Sequence, residues 1–420
     1  MLHKTKILRV SVIIISYNVS LFLEQCLLSV QSAIAFASER LPFSNNGFEL
    51  IVVDNQSSDG SVAYLQPIFP QVQFIANAVN LGFSKANNQA LSMSNGEWIL
   101  FLNPDTLLPE DFFVNCLDFV ARHPDAGAVG CRMLDGSGKY LPESKRGYPA
   151  VWASFCKMTG LTALFPHSRI MAAYYAGHLP AEDVNKVEVL SGACMFCKRE
   201  ALKSCGGFDE RYFMYAEDID LSYRIAASGY SLYYNPAVSI IHFKGESTVK
   251  DSRYIKQFYG AMLQFIEQHH TGRFSFVSRA FLKGAIWFRS RLALLQNLFS
   301  IQPENTAQLP APYLLKGSPL SAKQLAEMLR KETALNEKEA ASVIYCTGPD
   351  YTMAQLLRDW EKEKRPAMVH LDGSKSVVGS PNNRLNGLSF RITDWISEMA
   401  SNATNAVKDQ DRSANLRSGH

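Results

Sequence analysis

Arg9-Val10-Ser11-Val12-Ile13-Ile14-Ile15-Ser16 is an almost unbroken β-branched run, and it limits the fold more than any other stretch of the chain. Side chains of a strand alternate between two faces, so a strand apolar at nearly every position is buried on both. Residues 49–53, 71–76 and 97–102 are further apolar runs of the same kind. Helical apolar spacing lies between them, at 21–37, 62–69 and 84–93. This β-α-β-α alternation predicts an α/β fold with a doubly wound, mostly parallel central sheet. A helix beginning at Pro109 and strands over 126–131 and 187–197 extend it. Residues 217–228 read as a helix closed by Gly229. The segment 141–186, aromatic and without a clear period, reads as an irregular insertion that covers a substrate.

The chain has 420 residues, room for one large or two ordinary domains. A net charge of +3 gives no warrant for a nucleic-acid partner, which calls for a concentrated basic surface. The eight cysteines are scattered, and Cys194-x-x-Cys197 lacks the second pair of a structural zinc site. They read as reduced thiols of a cytoplasmic protein. The N-terminal apolar run is too short and too β-branched for a signal peptide, and no apolar run approaches the roughly 18 residues of a membrane span.

The first domain is expected over 1–270. Over 271–300, Phe274, Val277, Phe281, Ala285, Phe288, Leu292, Leu295 and Phe299 make one helical stripe. Arg279 and Lys283 oppose it, and Arg289 and Arg291 flank it. Such a basic amphipathic helix fits a membrane surface at the inner face of the cytoplasmic membrane, or the protein's own core. Residues 301–320 read as a linker, 321–400 as a small α/β unit of unknown role, and 401–420 as a disordered tail.

Open α/β sheets bind ligands at the carboxyl ends of their strands. Polar side chains gather where four apolar runs of this chain end. Asp54-Asn55-Gln56-Ser57 follows the second run; Asp54 is suited to accept hydrogen bonds from a base or ribose, with Asn55 and Ser57 beside it. The same residues would also serve a turn and helix cap. Tyr17, in Ser16-Tyr17-Asn18, can lay its ring against a base. Asn103-Pro104-Asp105 closes the 97–102 run with hard oxygen donors of the kind Mg²⁺ or Mn²⁺ takes while bridging a diphosphate. Glu217-Asp218 opens a helix, with Glu210 and Asp220 near in sequence; clustered carboxylates raise one another's proton affinity, which suits a general base. Gly206-Gly207-Phe208 reads as a flexible turn that admits an acceptor. His242, in Ile240-Ile241-His242-Phe243, reads as a further metal ligand or a phosphate contact.

The order of these pieces resembles the inverting GT-A family of nucleotide-sugar glycosyltransferases, in its rhamnosyltransferase-like branch. The resemblance covers residues 10 to about 245. It rests on Ser11–Asn18, Val53–Ser61, Asn80-Leu81-Gly82-Phe83, Phe101–Asp105, Ser191-Gly192-Ala193, Gly206–Glu210 and Phe213–Leu221. It implies that Tyr17, Asn18, Asp54, Asn55, Ser57, Asn80 and Asn103 surround the donor nucleotide. It implies further that Asp105 and His242 meet the metal, and that Asp218 is the base with Glu217 its neighbour. The family's Asp-x-Asp begins here with Asn103, a weaker ligand. The implied partners are a dTDP- or UDP-sugar and a lipid-linked or polysaccharide acceptor. A non-catalytic nucleotide-sugar or carbohydrate-binding scaffold is the alternative. A nucleotidyltransferase is disfavoured because residues 10–18 lack a Gly/Arg phosphate loop, and a dehydrogenase because the first turn lacks G-x-G-x-x-G.

Overall fold

The computed structural model describes residues 8–41, 43–149, 159–243, 252–269, 313–329, 342–363, 367–380 and 387–392, with isolated positions between. The stripe at 271–300, apart from isolated positions, and the tail at 401–420 lie outside the described residues. The chain opens with an alternating run: β1 (Leu8–Ser16), α1 (Ser20–Arg40), β2 (Phe43–Asp54), α2 (Ser61–Leu65), β3 (Gln73–Ala76), α3 (Phe83–Met93) and β4 (Trp98–Leu102). Next come β5 (Thr106–Leu107), α4 (Phe112–Arg122), β6 (Ala126–Leu134), β7 (Lys145–Arg146), α5 (Leu161–Leu164), β8 (Asn185–Lys186), β9 (Val189–Leu190) and β10 (Cys194–Lys198). Helix α6 (Arg199–Cys205), α7 (Glu217–Ala227), β11 (Ser231–His242) and α8 (Ser252–His269) follow.

Among the described residues the main sheet runs β3-β2-β1-β4-β10-β6-β11-β5, with β8 on β11. Strand β1 lies parallel to β2 and β4, with Ile13 opposite Ile51 and Phe101. Its β-branched run is buried on both faces. Val10, Val12 and Ile14 pack on Leu23, Leu27 and Val30 of α1, while Ile13 and Ile15 meet Ala86 and Ala90 of α3. Each such side chain contributes about 1.5–3 kcal/mol on full burial. The sheet is mixed, because β10 runs antiparallel to both β4 and β6. The expected strand over 187–197 is therefore two pieces, β9 and β10, broken at Ser191-Gly192-Ala193. Cys194 and Cys197 point to opposite faces of β10, one into each core, and so cannot share a metal ion.

A second sheet carries β12 (Tyr313–Gly317), α9 (Pro319–Leu329), β13 (Ser342–Cys346), α10 (Met353–Glu363), β14 (Ala367–His370), β15 (Ser376–Ser380) and β16 (Leu388–Arg391). Its strands run in that order, the first three parallel. Strand β12 falls inside the 301–320 segment read as linker; its Pro- and Gly-rich flanks hid a five-residue strand. Val19, just before α1, and Phe22 of α1, with Leu107 and Phe243, share one core with Met353, Leu356, Leu357 and Trp360 of α10. Glu110 caps α10, its carboxylate accepting from Met353 N at 2.6 Å and Ala354 N at 3.0 Å. Gln25 Nε2 donates to Ser376 O at 2.8 Å, and Leu371 N donates to Gln25 Oε1 at 3.1 Å. Helix α1 has the length and mean hydropathy to cross a bilayer, unlike any stretch anticipated from the sequence. Here it is buried between the main sheet and the second one.

Candidate active site

Parallel pairing brings the carboxyl ends of β2, β1 and β4 to one edge of the sheet. The antiparallel β10 begins at that same edge, with Cys194 opposite Leu102, and β11 ends there, with His242 opposite Thr106. The residues nominated at the strand ends therefore lie along one rim, in two clusters, and a third cluster forms at the start of α7.

The first cluster is a web of amides. Asn55 Nδ2 donates to Asn80 Oδ1 at 2.9 Å and to Gly82 O at 3.3 Å, and Leu81 N donates to Asn55 Oδ1 at 2.9 Å. Asn18, at φ 55°, accepts from Ser58 N on its side-chain oxygen, while its own N–H donates to Ser57 Oγ at 2.9 Å. Asn18, Asn55, Ser57 and Asn80 thus shape the loops. Asp54 differs. Its Oδ2 accepts from Ser57 N at 3.0 Å, but its Oδ1 is buried with no hydrogen-bond partner among the described residues. A buried carboxylate oxygen without a donor is costly, and a ligand N–H or O–H would relieve it. Tyr17, 37% exposed, stands on the same rim.

The second cluster joins Asn103, Asp105 and His242. His242 Nε2 is 3.4 Å from Asp105 Oδ1 and 3.4 Å from Asn103 Nδ2. Adjacent ligands of an octahedral ion at about 2.1 Å lie roughly 3 Å apart, so the carboxylate and the imidazole fit one hard ion. No group of three His, Cys, Asp or Glu side chains that could hold an ion occurs among the described residues. Asp105 and His242 could supply at most two protein ligands, so the rest of any ion's shell would have to come from water or substrate oxygens.

The third cluster surrounds the start of α7. Tyr215 and Ala216 before it have φ values of 72° and 63°. Two successive non-glycine residues in that region store about 1–3 kcal/mol each, a cost that concentrates at functional sites. Phe83 N donates to Phe213 O at 2.7 Å, which ties this loop to the start of α3. A Cβ on Gly82 would lie 2.6 Å from that carbonyl, so only glycine permits the approach. Asp218 Oδ1 accepts from Ile219 N at 2.8 Å, and Oδ2 from Gly192 N at 3.1 Å. Ala193 O accepts from Asn103 N at 2.9 Å. The Ser191-Gly192-Ala193 turn therefore braces Asp218 against the second cluster.

Asp218 Oδ2 also takes a charged hydrogen bond from Arg146 of β7. The two side chains are only 11% and 16% exposed. Burial opposes the charge on Arg146, but Asp218 and Tyr174 beside it more than compensate and raise its proton affinity. Burial first, then the charge of Asp218, push the Glu217 carboxyl up to about 8. Glu217 Oε2 and Arg146 Nε are both buried with no partner among the described residues. A cleft beside them is lined by Arg146, Tyr174, Tyr215, Asp218, Phe258 and Met262.

Two readings of the sequence need correction here. Glu210 does not crowd Asp218, and Asp220, the last among the groups that raise Glu217, is turned to other partners. Asp220 is fully buried and accepts from Arg224 Nε at 2.8 Å and His269 Nε2 at 2.7 Å, while Glu210 takes Asn88 Nδ2 at 3.1 Å. Gly206-Gly207 is no loose entrance either. It caps α6, and Arg224 Nη1 grips the carbonyls of Cys205 and Gly207 at 2.6 and 2.7 Å. Segment 141–186, read as irregular, contributes β7, which pairs with β9 and carries Arg146 to Asp218. Nothing in the periodicity around Lys145-Arg146-Gly147 marks that arginine, since its partner is 72 residues away.

The model of the glycosyl transferase family 2 matches residues 11–206. The protein is a glycosyltransferase. The match takes in the first two clusters except His242, and it ends before α7. The N-acetylglucosaminyl-diphospho-decaprenol L-rhamnosyltransferase of Mycobacterium tuberculosis is 28% identical over 299 residues, covering 68% of this chain and 93% of that one. The rhamnosyltransferase WbbL of Escherichia coli K12 is 25% identical over 279 residues, covering 62% of this transferase and 88% of its own length. A mannosyltransferase from Pyrobaculum calidifontis, solved with GDP-Man and Mn²⁺, overlays with TM-score 0.43 at 19% identity, covering 86% and 85% of the two chains. The transferase has the GT-A architecture, with a mixed sheet of mostly parallel strands and a further small sheet.

Proposed function

We propose that the transferase moves a sugar, rhamnose in the first instance, from a dTDP- or UDP-linked donor to a hydroxyl of a lipid-linked diphosphate acceptor, with inversion at the anomeric carbon. The observation that carries this reading is the placement of Asp218, braced through Gly192 and Ala193 against Asn103 and its neighbours. In this reading the donor sugar lies between the base and the leaving-group site.

In this reading Tyr17 stacks on the base and Asp54 Oδ1 accepts from it. Asn18, Asn55, Ser57 and Asn80 hold the loops that frame it. Asp105 and His242 would hold Mg²⁺ or Mn²⁺, with Asn103 beside them; the ion would supply neutralisation of charge on the departing diphosphate. The acceptor oxygen bonds to the anomeric carbon as its proton passes to Asp218. The bond from that carbon to the diphosphate breaks, and its electron pair leaves with the nucleotide. Glu217, whose carboxyl holds its proton up to about 8, adds no second negative charge beside Asp218 at neutral pH. The lipid-linked acceptor is supported by the substrate in the name of the mycobacterial relative. In this reading the enzyme works at the inner face of the cytoplasmic membrane, with a 1–270 catalytic unit and the 271–300 stripe proposed as its lipid contact.

Isothermal titration with UDP, dTDP, GDP and ADP, each with and without Mn²⁺, tests the donor end. Selective, metal-enhanced binding of one pyrimidine diphosphate is expected. Binding indifferent to metal would remove Asp105 and His242 from that role, and no binding of any of the four would overturn the donor assignment. Retention of anomeric configuration in the product, read by NMR, would overturn the single-displacement mechanism.

A further inference from the structure

Arg146 is the charged side chain of the cleft that has no part in the mechanism above. Its Nη2 donates to Asp218 Oδ2 and to Leu190 O, the latter at 3.1 Å. Its Nε is buried without a partner among the described residues. A guanidinium carries donors in a planar fork, matched to phosphate or carboxylate. It stands where the aromatic side chains of Tyr174, Tyr215 and Phe258 line the cleft. The base of the reaction is thus held by a cation that also prefers diphosphate.

We propose that Arg146 is the acceptor-sensing residue of this site: it pairs with Asp218 while the cleft is empty, and passes to the diphosphate of a sugar-diphosphate acceptor when one docks. The inference rests on the reading of Asp218 as the base and of the acceptor as a diphosphate. In a glycosyl diphosphate the reacting hydroxyl and the anionic group belong to the same sugar residue, so a side chain that touches the base can reach the second while the base reaches the first. Docking then breaks the Arg146–Asp218 pair and leaves the carboxylate oxygen facing the acceptor O–H. A neutral acceptor lacks the group that draws Arg146 away, so the ion pair selects against it. Arg146 acts through Asp218 and is a positioning and specificity residue.

The test is binding of two probes by calorimetry: N-acetylglucosaminyl diphosphate with a short alkyl chain, and the neutral alkyl N-acetylglucosaminide. The wild-type protein should prefer the diphosphate by about tenfold or more, as a charged hydrogen bond lost or gained implies. Arg146→Gln should abolish that preference, and Arg146→Lys should restore part of it. Titration with the nucleoside diphosphate checks that each variant is folded, since that site should be unaffected. The deciding variant is Asp218→Asn. Removing the carboxylate's charge releases Arg146, so the diphosphate probe should bind several-fold more tightly while the neutral probe does not change. A merely structural arginine would weaken both probes alike and would gain nothing from Asp218→Asn. An unchanged preference in Arg146→Gln, or none in the wild type, overturns the proposal. Normal transfer by Asp218→Asn would instead overturn the base assignment, so the two failures are distinguishable.

Discussion

The two ends of the proposed site, one for the donor and one for the acceptor, are built on different principles. At the donor end, Asn18, Asn55, Ser57 and Asn80 hydrogen-bond to one another and to nearby backbone, and one carboxylate oxygen of Asp54 is left over. At the acceptor end, Arg146, Glu217 and Asp218 are charged or chargeable, mostly buried, and brought together from β7 and α7. Neutral amide webs fix shape at little electrostatic cost, since each partner is satisfied locally. Buried charges are held only by their pairing, and removing one partner is felt by the rest. The donor end is therefore expected to be tolerant and modular, the acceptor end coupled.

Four substitutions would break or sharpen that contrast. Asp218→Asn should lower transfer about 10³-fold or more, with donor affinity retained; comparable turnover in a single-turnover assay would remove Asp218 from the mechanism. Glu217→Gln tests the coupled charge through stability. The folded carboxyl holds its proton up to about 8 against an ordinary value of 4.5, so the folded chain keeps a proton that the unfolded chain loses. Its contribution is complete below the lower value and is lost as pH rises through the upper one. Wild-type stability should therefore fall between pH 5 and 8 by on the order of 3 kcal/mol more than that of the Gln variant. Parallel urea-midpoint curves for the two proteins would refute this. Asp54→Ala should raise the donor KM about 10- to 100-fold with kcat little changed, as loss of one charged hydrogen bond predicts. A collapse of kcat would mean that the donor end is as coupled as the other. Asn55→Ala should have the smallest effect, about 1–2 kcal/mol in chemical unfolding, with a loss of donor affinity that follows the loosened Asn80–Gly82 loop. A catalytic defect with full stability would show instead that Asn55 touches the donor.

The same contrast explains what could be read from the amino-acid order. Strands β1, β2 and β4 announce themselves because burial on both faces leaves a continuous apolar run, and their parallel order follows from the helices between them. Asp54, Asn103 and Asp105 sit where those runs stop, so position alone nominates them. Strand β11 was legible only at its apolar end, because Tyr233, Tyr234, Asn235 and Pro236 interrupt the pattern earlier. Strand β12 was concealed by flanking prolines and glycines. Arg146 was invisible for a different reason: a two-residue strand has no period, and an ion pair across 72 positions leaves no local trace. Asp220 misled because a carboxylate in the first turn of a helix looks the same in sequence whether it faces a cleft or a buried arginine.

The link between α1 and the second sheet has a consequence for how the chain is made. The strands of the main sheet have all left the ribosome once His242 has emerged. Yet Gln25, buried on α1, has its partners at Leu371 and Ser376, and Glu24, which Tyr64 also reaches, has further partners at Lys375 and Ser376, some 350 positions later. Until those residues are synthesised, one of the first helices to form presents unpaired polar groups and the apolar side chains of Val19 and Phe22 to solvent. The nascent chain must wait with an open seam, and strands translated more than 300 residues later close a surface laid down with α1.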